Sequence, residues 1–222
     1  IKFLSFNFSN KIIDLSFVKY CSNLEEVDVN CFKLENLEVF RENKLLKKIT
    51  ARNNSIANIE ALFEHHNLEH LILDNNPPLS LKPIAHLTKI NTLDICLIDD
   101  ESYVLNFVKL NSNCKVNYII NGGPTDFENF IFNYYQIIIE KNENEIKMDI
   151  EGVETTTVYP IETKIPEHLQ EDKLYYERFI NSLINEITNR LEIILDKKVN
   201  LNLDETYSFG YSYHMHSSYK LN

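Results

Sequence analysis

The sequence predicts an α/β solenoid of about five short repeats over residues 1–121, with a C-terminal cap, followed by a small acidic α+β domain over residues 122–222 with an antiparallel sheet and one long helix. Three observations predict it. Leu24, Leu46, Leu68 and Ile90 recur 22 residues apart, and self-similarity at that period marks a coil of stacked units. From Phe127 the pattern changes to strand-like alternation. Finally, Tyr176, Ile180, Leu183, Ile187, Leu191 and Ile194 repeat at three and four residues, the stripe of an amphipathic helix over Glu171–Lys198.

Taken in order, each unit places apolar or small residues three and five positions after its first: Val27 and Val29, Ile49 and Ala51, Leu71 and Leu73, Leu93 and Ile95. Ile1, Leu4 and Phe6 fit the same template 23 residues upstream. At the ninth position stand Ser9, Phe32, Asn54, Asn76 and Ile98, so two of the five units carry an Asn whose amide would satisfy backbone groups where the chain turns inside the coil. The return segments carry Ile12, Leu15 and Val18; Leu34, Leu37 and Phe40; Ile56, Ile59 and Leu62; and Leu79, Leu81, Ile84 and Leu87. Their threefold spacing suits short 3₁₀ turns, and Pro77, Pro78 and Pro83 forbid a long helix in the fourth. After Ile98 a polar stretch, Asp99 to Glu101, leads into a helical turn or two at Tyr103–Leu110. Lys115–Ile120 reads as a terminal strand and Gly122-Gly123-Pro124 as the turn after it, so residues 99–121 supply part of the cap that a solenoid's open end requires.

The pattern L-x-x-L-x-L-x-x-N followed by x-I-x-x-I-x-x-L resembles leucine-rich repeat proteins, above all the short-period, internalin-like kind. The third unit matches best, through Leu46, Ile49, Ala51 and Asn54, then Ile56, Ile59 and Leu62. The resemblance covers roughly residues 1–110 and implies a binding scaffold without specifying what is bound. Side chains alternate across a strand, so the third, fifth and seventh positions of each unit face away from the core onto the concave surface that solenoids use for binding. That surface would display Phe3, Ser5 and Asn7; Glu26, Asp28 and Asn30; Lys48, Thr50 and Arg52; His70, Ile72 and Asp74; and Thr92, Asp94 and Cys96. From these we take Glu26, Asp28, Lys48, Arg52, His70, Asp74 and Asp94 as the candidate partner-binding residues. The four acids would make contact, with Arg52 and Lys48 setting specificity.

In the second half, Phe130–Glu140 and the alternating Ile146, Met148 and Ile150 read as two strands joined by a hairpin turn over Lys141–Glu145, with Thr155–Tyr159 extending the sheet. Pro160 and Pro166 mark a loop. Glu171 and Asp172 at the start of the long helix, and Lys197 and Lys198 at its end, suit the helix dipole. Val199, Leu201 and Leu203, then Tyr207, Phe209, Tyr211 and Tyr213, alternate like strands, the tyrosine stripe reading as the buried face of one packed on the helix or as an aromatic binding surface. No family resemblance attaches to this half.

Composition narrows function. The net charge is -11, divided as -3 over residues 1–111 and -8 over residues 112–222. An acidic surface repels phosphate backbones and steers in a basic protein, so the expected partner is a protein and not a nucleic acid. Cys21, Cys31, Cys96 and Cys114 have no C-x-x-C spacing and read as packed thiols in a reducing compartment. No run of 18 apolar residues and no signal-peptide pattern is present, which makes cytoplasmic the expectation. The chain does not begin with Met, and a trimmed leader or upstream repeats stay open. With only four glycines it contains no G-x-G-x-x-G, G-x-x-x-x-G-K, G-x-S-x-G or H-E-x-x-H, so no catalytic residue, cofactor or metal is expected. His214 and His216 form a possible metal pair lacking a nearby carboxylate to complete it, and His65, His66 and His70 straddle the junction between a return segment and a strand. Glu140, Glu143, Glu145, Asp149, Glu151 and Glu154 read as a solvated hairpin, or as a decoy for a basic cleft. The expected function is therefore non-catalytic protein binding, concretely an immunity-type inhibitor that occludes a basic toxin or nuclease. An adaptor with two binding surfaces, and a metal-dependent enzyme using the C-terminal histidines, stay open as alternatives.

Overall fold

The 22-residue recurrence becomes strand register. In this computed structural model, which describes residues 1–6, 15–31, 33–98, 100–121, 134–153, 173–199 and 213–220, the first five strands are β1 (Phe3–Ser5), β2 (Glu26–Asp28), β3 (Lys48–Thr50), β4 (His70–Leu73) and β5 (Thr92–Leu97). All pair in parallel, with Leu4, Val27, Ile49, Leu71 and Leu93 on one rung. Short 3₁₀ turns at Ser16–Tyr20, Glu38–Phe40, Glu60–Leu62 and Lys82–Ile84 return the chain. Between strands and turns the repeat-position leucines and isoleucines of the described residues meet in one core, in which Leu24, Leu46, Leu68 and Ile90 are wholly buried. The described residues of this half thus have a leucine-rich-repeat-like fold.

Side-chain amides join successive units. Asn54 donates to the carbonyls of Val29 and Ala51, both at 2.9 Å, and accepts from the Leu34 amide at 3.0 Å. Asn76 repeats this one unit on, donating to Ala51 (2.9 Å) and Leu73 (2.7 Å) and accepting from Ile56 (3.0 Å). These are the two ninth-position asparagines of the sequence pattern, and they satisfy buried backbone groups that a regular sheet would leave open. Just before them Asn53 and Asn75, and Cys31 at the equivalent position one unit earlier, turn the chain with φ of 54°, 60° and 64°. Asparagine tolerates that left-handed conformation better than cysteine does. A second buried ladder runs through the return segments. Asn43 donates to Val18 O and Cys21 O at 3.0 Å, and His65 Nε2 lies 3.1 Å from Phe40 O, the carbonyl equivalent to Val18 O one unit on.

Beyond the repeats lie helix α1 (Glu101–Leu110), strands β6 (Cys114–Asn121), β7 (Tyr134–Lys141) and β8 (Glu145–Val153), helix α2 (Lys173–Leu195) and strand β9 (Tyr213–Lys220). The expected Tyr103–Leu110 turns are a ten-residue helix, because Asp100 caps it by accepting from the Ser102 amide at 2.9 Å. The Lys115–Ile120 strand ends the parallel series but not the sheet. β6 continues the register of β5 in parallel and then pairs antiparallel with β7, which pairs with β8 and that with β9. Among the described residues one nine-stranded sheet therefore runs in chain order. The hairpin turn falls at Asn142–Asn144, where Asn142 Oδ1 accepts from the amides of Asn144 and Glu145.

Helix α2 buries Ile187, Leu191 and Ile194 as its stripe requires. In the same stripe Arg190 is buried too. It donates to both Glu101 carboxylate oxygens (2.7 and 3.1 Å) and to Glu186 (2.7 Å), while the Tyr118 hydroxyl donates to Glu101 Oε1 at 2.6 Å. Burial lowers the guanidinium's affinity for its proton, but Glu101 outweighs it and the Arg190 pKa is raised. Burial and the Glu101 charge hold the Tyr118 phenol well above the ordinary value. The cluster ties α2 to α1 and β6. The expected features at Asn7, Ser9, Ile12, Phe32, Gly122–Pro124, Thr155–Tyr159, Pro160, Pro166, Leu201, Leu203 and Tyr207–Tyr211 lie outside the described residues.

Candidate surface for partner recognition

Because Val27, Ile49, Leu71 and Leu93 point into the core, the residues on either side of them line the opposite face of the sheet. Register aligns these as two rows. One runs Phe3, Glu26, Lys48, His70, Thr92, and the other Ser5, Asp28, Thr50, Ile72, Asp94. Arg52 and Asp74 sit just beyond β3 and β4 on adjoining units, with the Asn53 amide donating to Asp74 O at 3.1 Å. Five of the seven residues singled out from the sequence thus fall on this face of the strands, and Arg52 and Asp74 lie at its end, where Arg52 reaches Asp94. Thr50, expected to be displayed there, is buried. The Cys96 and Asn7 side chains lie outside the description.

Asp94 ends the second row, on β5. It is half-buried, with Arg52 Nη2 at 3.4 Å from one carboxylate oxygen and Asn117 donating to the other at 3.0 Å. The same guanidinium reaches Asp74 at 3.9 Å. Burial first, then the Asp74 charge, raise the Asp94 pKa despite Arg52 and Asn117. The carboxylate is therefore held where its charge is unfavourable. Around it, Asn30 donates to Asp28 and accepts from the Arg52 amide at 2.8 Å, fixing that corner. Glu26 is exposed, while Lys48 and His70 are half-buried. At the edge of the sheet Lys2 and Lys47 hydrogen-bond Glu25 at 2.6 and 2.8 Å and hold its pKa at about 2. This exposed ladder is fully satisfied by its own cations.

Sequence reasoning assigned Lys115–Ile120 to a cap and so missed that β6 extends the face. Asn117 continues the Asp94 row and Lys115 the Thr92 row, and Lys115 pairs with Glu140 of β7 at 2.6 Å. The 23-residue step from Asp94 to Asn117 was the available signal. A polar groove of about 330 Å³ opens beside these residues, between Asn91, Thr92, Asn113, Lys115, Glu140 and Asn142.

The expected histidine cluster separates. His65 is buried, His66 packs edge-on to His86 at 5.7 Å, and His70 lies on the sheet face. Among the described residues no group of three or more His, Cys, Asp or Glu is placed to hold a metal. Cys21, Cys31 and Cys114 are free thiols, and burial raises the Cys114 pKa to about 11. No helix among the described residues is long and apolar enough to cross a membrane.

No family model matches the chain, and no curated protein matches it. Among solved structures it is similar to an internalin (inlF) of Listeria monocytogenes, at 24% identity over 50% of this chain and 33% of that one, with a TM-score of 0.41. It is also similar to an internalin C2 (inlC2) of the same organism, at 20% identity over 52% of each chain, with a TM-score of 0.42. The chain thus spans about a third of one of these proteins and about half of the other.

Proposed function

We propose that this chain is a non-catalytic protein-recognition module that uses the sheet face around Asp94 to take a cationic side chain of its partner. The observation that supports this is the Asp94 carboxylate, half-buried and crowded by Asp74, with one guanidinium at 3.4 Å shared between the two acids. A partner's lysine or arginine entering between them would relieve an electrostatic cost already present in the free protein. With Glu26 and Asp28 on β2 of the same face and a net charge of -11, the face would steer in a basic surface and fix its register. The concrete form is an immunity-type inhibitor that occludes the basic cleft of a toxin or nuclease. In it residues 1–121 recognise the partner, and the acidic residues 122–222 cap the repeats and add to the attraction.

A pull-down from native lysate at low and high salt tests this, with the retained proteins identified by mass spectrometry. One basic protein, held near stoichiometrically and weakened by salt, is the expected result. Asp28→Lys and Asp74→Lys should each weaken that complex by at least about tenfold, equivalent to about 1.4 kcal/mol. Binding unchanged by both substitutions would remove the acidic face from the proposal, and several salt-insensitive partners would favour an adaptor.

A further inference from the structure

Resting on the reading of the acidic face given above, we propose that Arg52 is a resident competitor: its guanidinium occupies the place between Asp74 and Asp94 that a partner's cation takes, and must swing aside before the partner can bind. The carrying observation is the contrast between how Arg52 is held at its backbone and at its tip. Its amide donates to Asn30 Oδ1 at 2.8 Å, and its carbonyl accepts from the Cys31 amide at 3.0 Å and from Asn54 at 3.1 Å. The main chain is thus fixed by the preceding unit and by the turn that follows.

The tip is held loosely. Arg52 Nη2 stands 3.4 Å from Asp94 Oδ2, and Nε 3.9 Å from Asp74 Oδ2. Good charge-assisted bonds measure about 2.7–2.9 Å. Two other arginines of the molecule come into that range, Arg41 with bonds of 2.6 and 2.7 Å to Glu38, and Arg190 with bonds of 2.7 and 3.1 Å to Glu101. Arg52 falls short because its side chain must reach from the end of β3 past Asp74 to Asp94 on β5, two strand spacings or about 10 Å. Asp94 Oδ1 meanwhile accepts from Asn117 at 3.0 Å, which keeps the carboxylate in place when the guanidinium leaves. The Arg52 side chain is 41% exposed, so water can take over its donors as it turns out. The movement is a change of rotamer that leaves strand pairing untouched.

A tethered cation competes at an effective concentration on the order of millimolar. Isolated ammonium or guanidinium groups are therefore turned away, and entry is kept for a basic surface that adds contacts at Glu26 and Asp28 while it displaces Arg52. The group best suited to that exchange is an arginine of the partner. Its planar fork, coming from above the sheet, can bridge Asp74 and Asp94 without the stretch that limits Arg52. Because exposed ion pairs contribute little, the displacement itself costs little.

The test is calorimetric titration of the full chain with a hexa-arginine peptide at neutral pH and low salt, alongside Arg52→Gln, Asp94→Asn and Lys82→Gln. The last removes the same charge from a return turn. Arg52→Gln should tighten binding at least about threefold, as expected for removing a weak exposed ion pair, and Lys82→Gln should give a smaller gain. The denaturant midpoint of Arg52→Gln should fall slightly at the same time, since two acids lose their shared cation; a purely structural role would lower stability and binding together. Asp94→Asn should weaken binding, and adding Arg52→Gln to it should bring no gain beyond that of Lys82→Gln. If Asp94→Asn weakens binding but Arg52→Gln gains no more than Lys82→Gln, the competitor is overturned and the acidic face stands. Binding indifferent to Asp94→Asn overturns both. Should Arg52→Gln fail to fold, the unaltered chain decides: exchange of the Arg52 Nε proton with water should quicken on saturation with the peptide, and unchanged exchange refutes the displacement.

Discussion

From Leu24 to Ile95 each unit is joined to the next by strand pairing repeated 22 residues on, whereas among the described residues α2 meets the rest of the molecule through an apolar stripe and a buried ion cluster, Arg190 with Glu101 and Tyr118. The first arrangement is distributed. Losing one rung leaves its neighbours, because stability in a stack sums over nearest-neighbour interfaces. The second is concentrated, and its worth depends on every partner being present. Removing one member leaves a charge stranded in a poorly hydrated site, while replacing the whole set with neutral groups of similar shape costs far less.

The sharpest way to break the comparison is therefore at Arg190. Arg190→Met should destabilise the protein by about 3 kcal/mol, since Glu101 and Glu186 lose their common cation. Urea unfolding at neutral pH measures it, and hydrogen exchange should show protection lost first in α2 and α1 while β2–β4 keep theirs. Adding Glu101→Gln to Arg190→Met should recover much of the loss, because the Tyr118 hydroxyl can still donate to the amide oxygen. A double variant no better than the single one would mean that the cluster is held by packing and not by charge.

That cluster also marks where the sequence stops being legible. Arg190 and Glu101 are 89 positions apart, and no periodicity connects them. An arginine within an apolar helical stripe was the visible anomaly, yet nothing in the chain named its partner. The repeats are different because one unit predicts the next. Asn54 and Asn76 announced their backbone bonds, and alternation about Ile49 and Leu71 assigned Lys48, His70 and their neighbours to one face. Continuity of that face onto Asn117 and Lys115 was obscured when the period lengthened from 22 to 23 residues and the intervening return became α1. The antiparallel pairing of β9 with β8 joins segments separated by the whole of α2, with no period between them, so it emerged only with the register.

Within the repeats, Asn76→Ala removes a side chain that serves two carbonyls and one amide of the buried turn. Those groups have little access to water, and the expected loss is about 2 kcal/mol. Asn54→Ala, at a half-buried position with more water nearby, should cost about 1 kcal/mol. Both are measured by denaturant midpoint at constant slope. If either equals the Arg190→Met loss, the ladder is not the redundant element described above.

The smallest effect separates the two regions by pH. His65 stands in the ladder position that Asn43 occupies one unit earlier, and burial lowers its pKa from the ordinary 6.5. Above that value both folded and unfolded chains carry a neutral ring, and stability is indifferent to pH at this site. As pH falls below it the unfolded chain takes up the proton first, so stability declines until the folded ring is protonated too. His65→Asn should flatten this decline between pH 7 and about 5, because the amide can reach the Phe40 carbonyl as Asn43 reaches that of Val18 and has no proton to gain. In the Arg190 cluster, Arg190 and Tyr118 are both raised above this window. Denaturant midpoints of parent and variant across that range make the comparison. A parent whose stability falls no faster than the variant's would show that His65 accepts its proton in place, and that the ladder is open to water at the one position where its residue can carry charge.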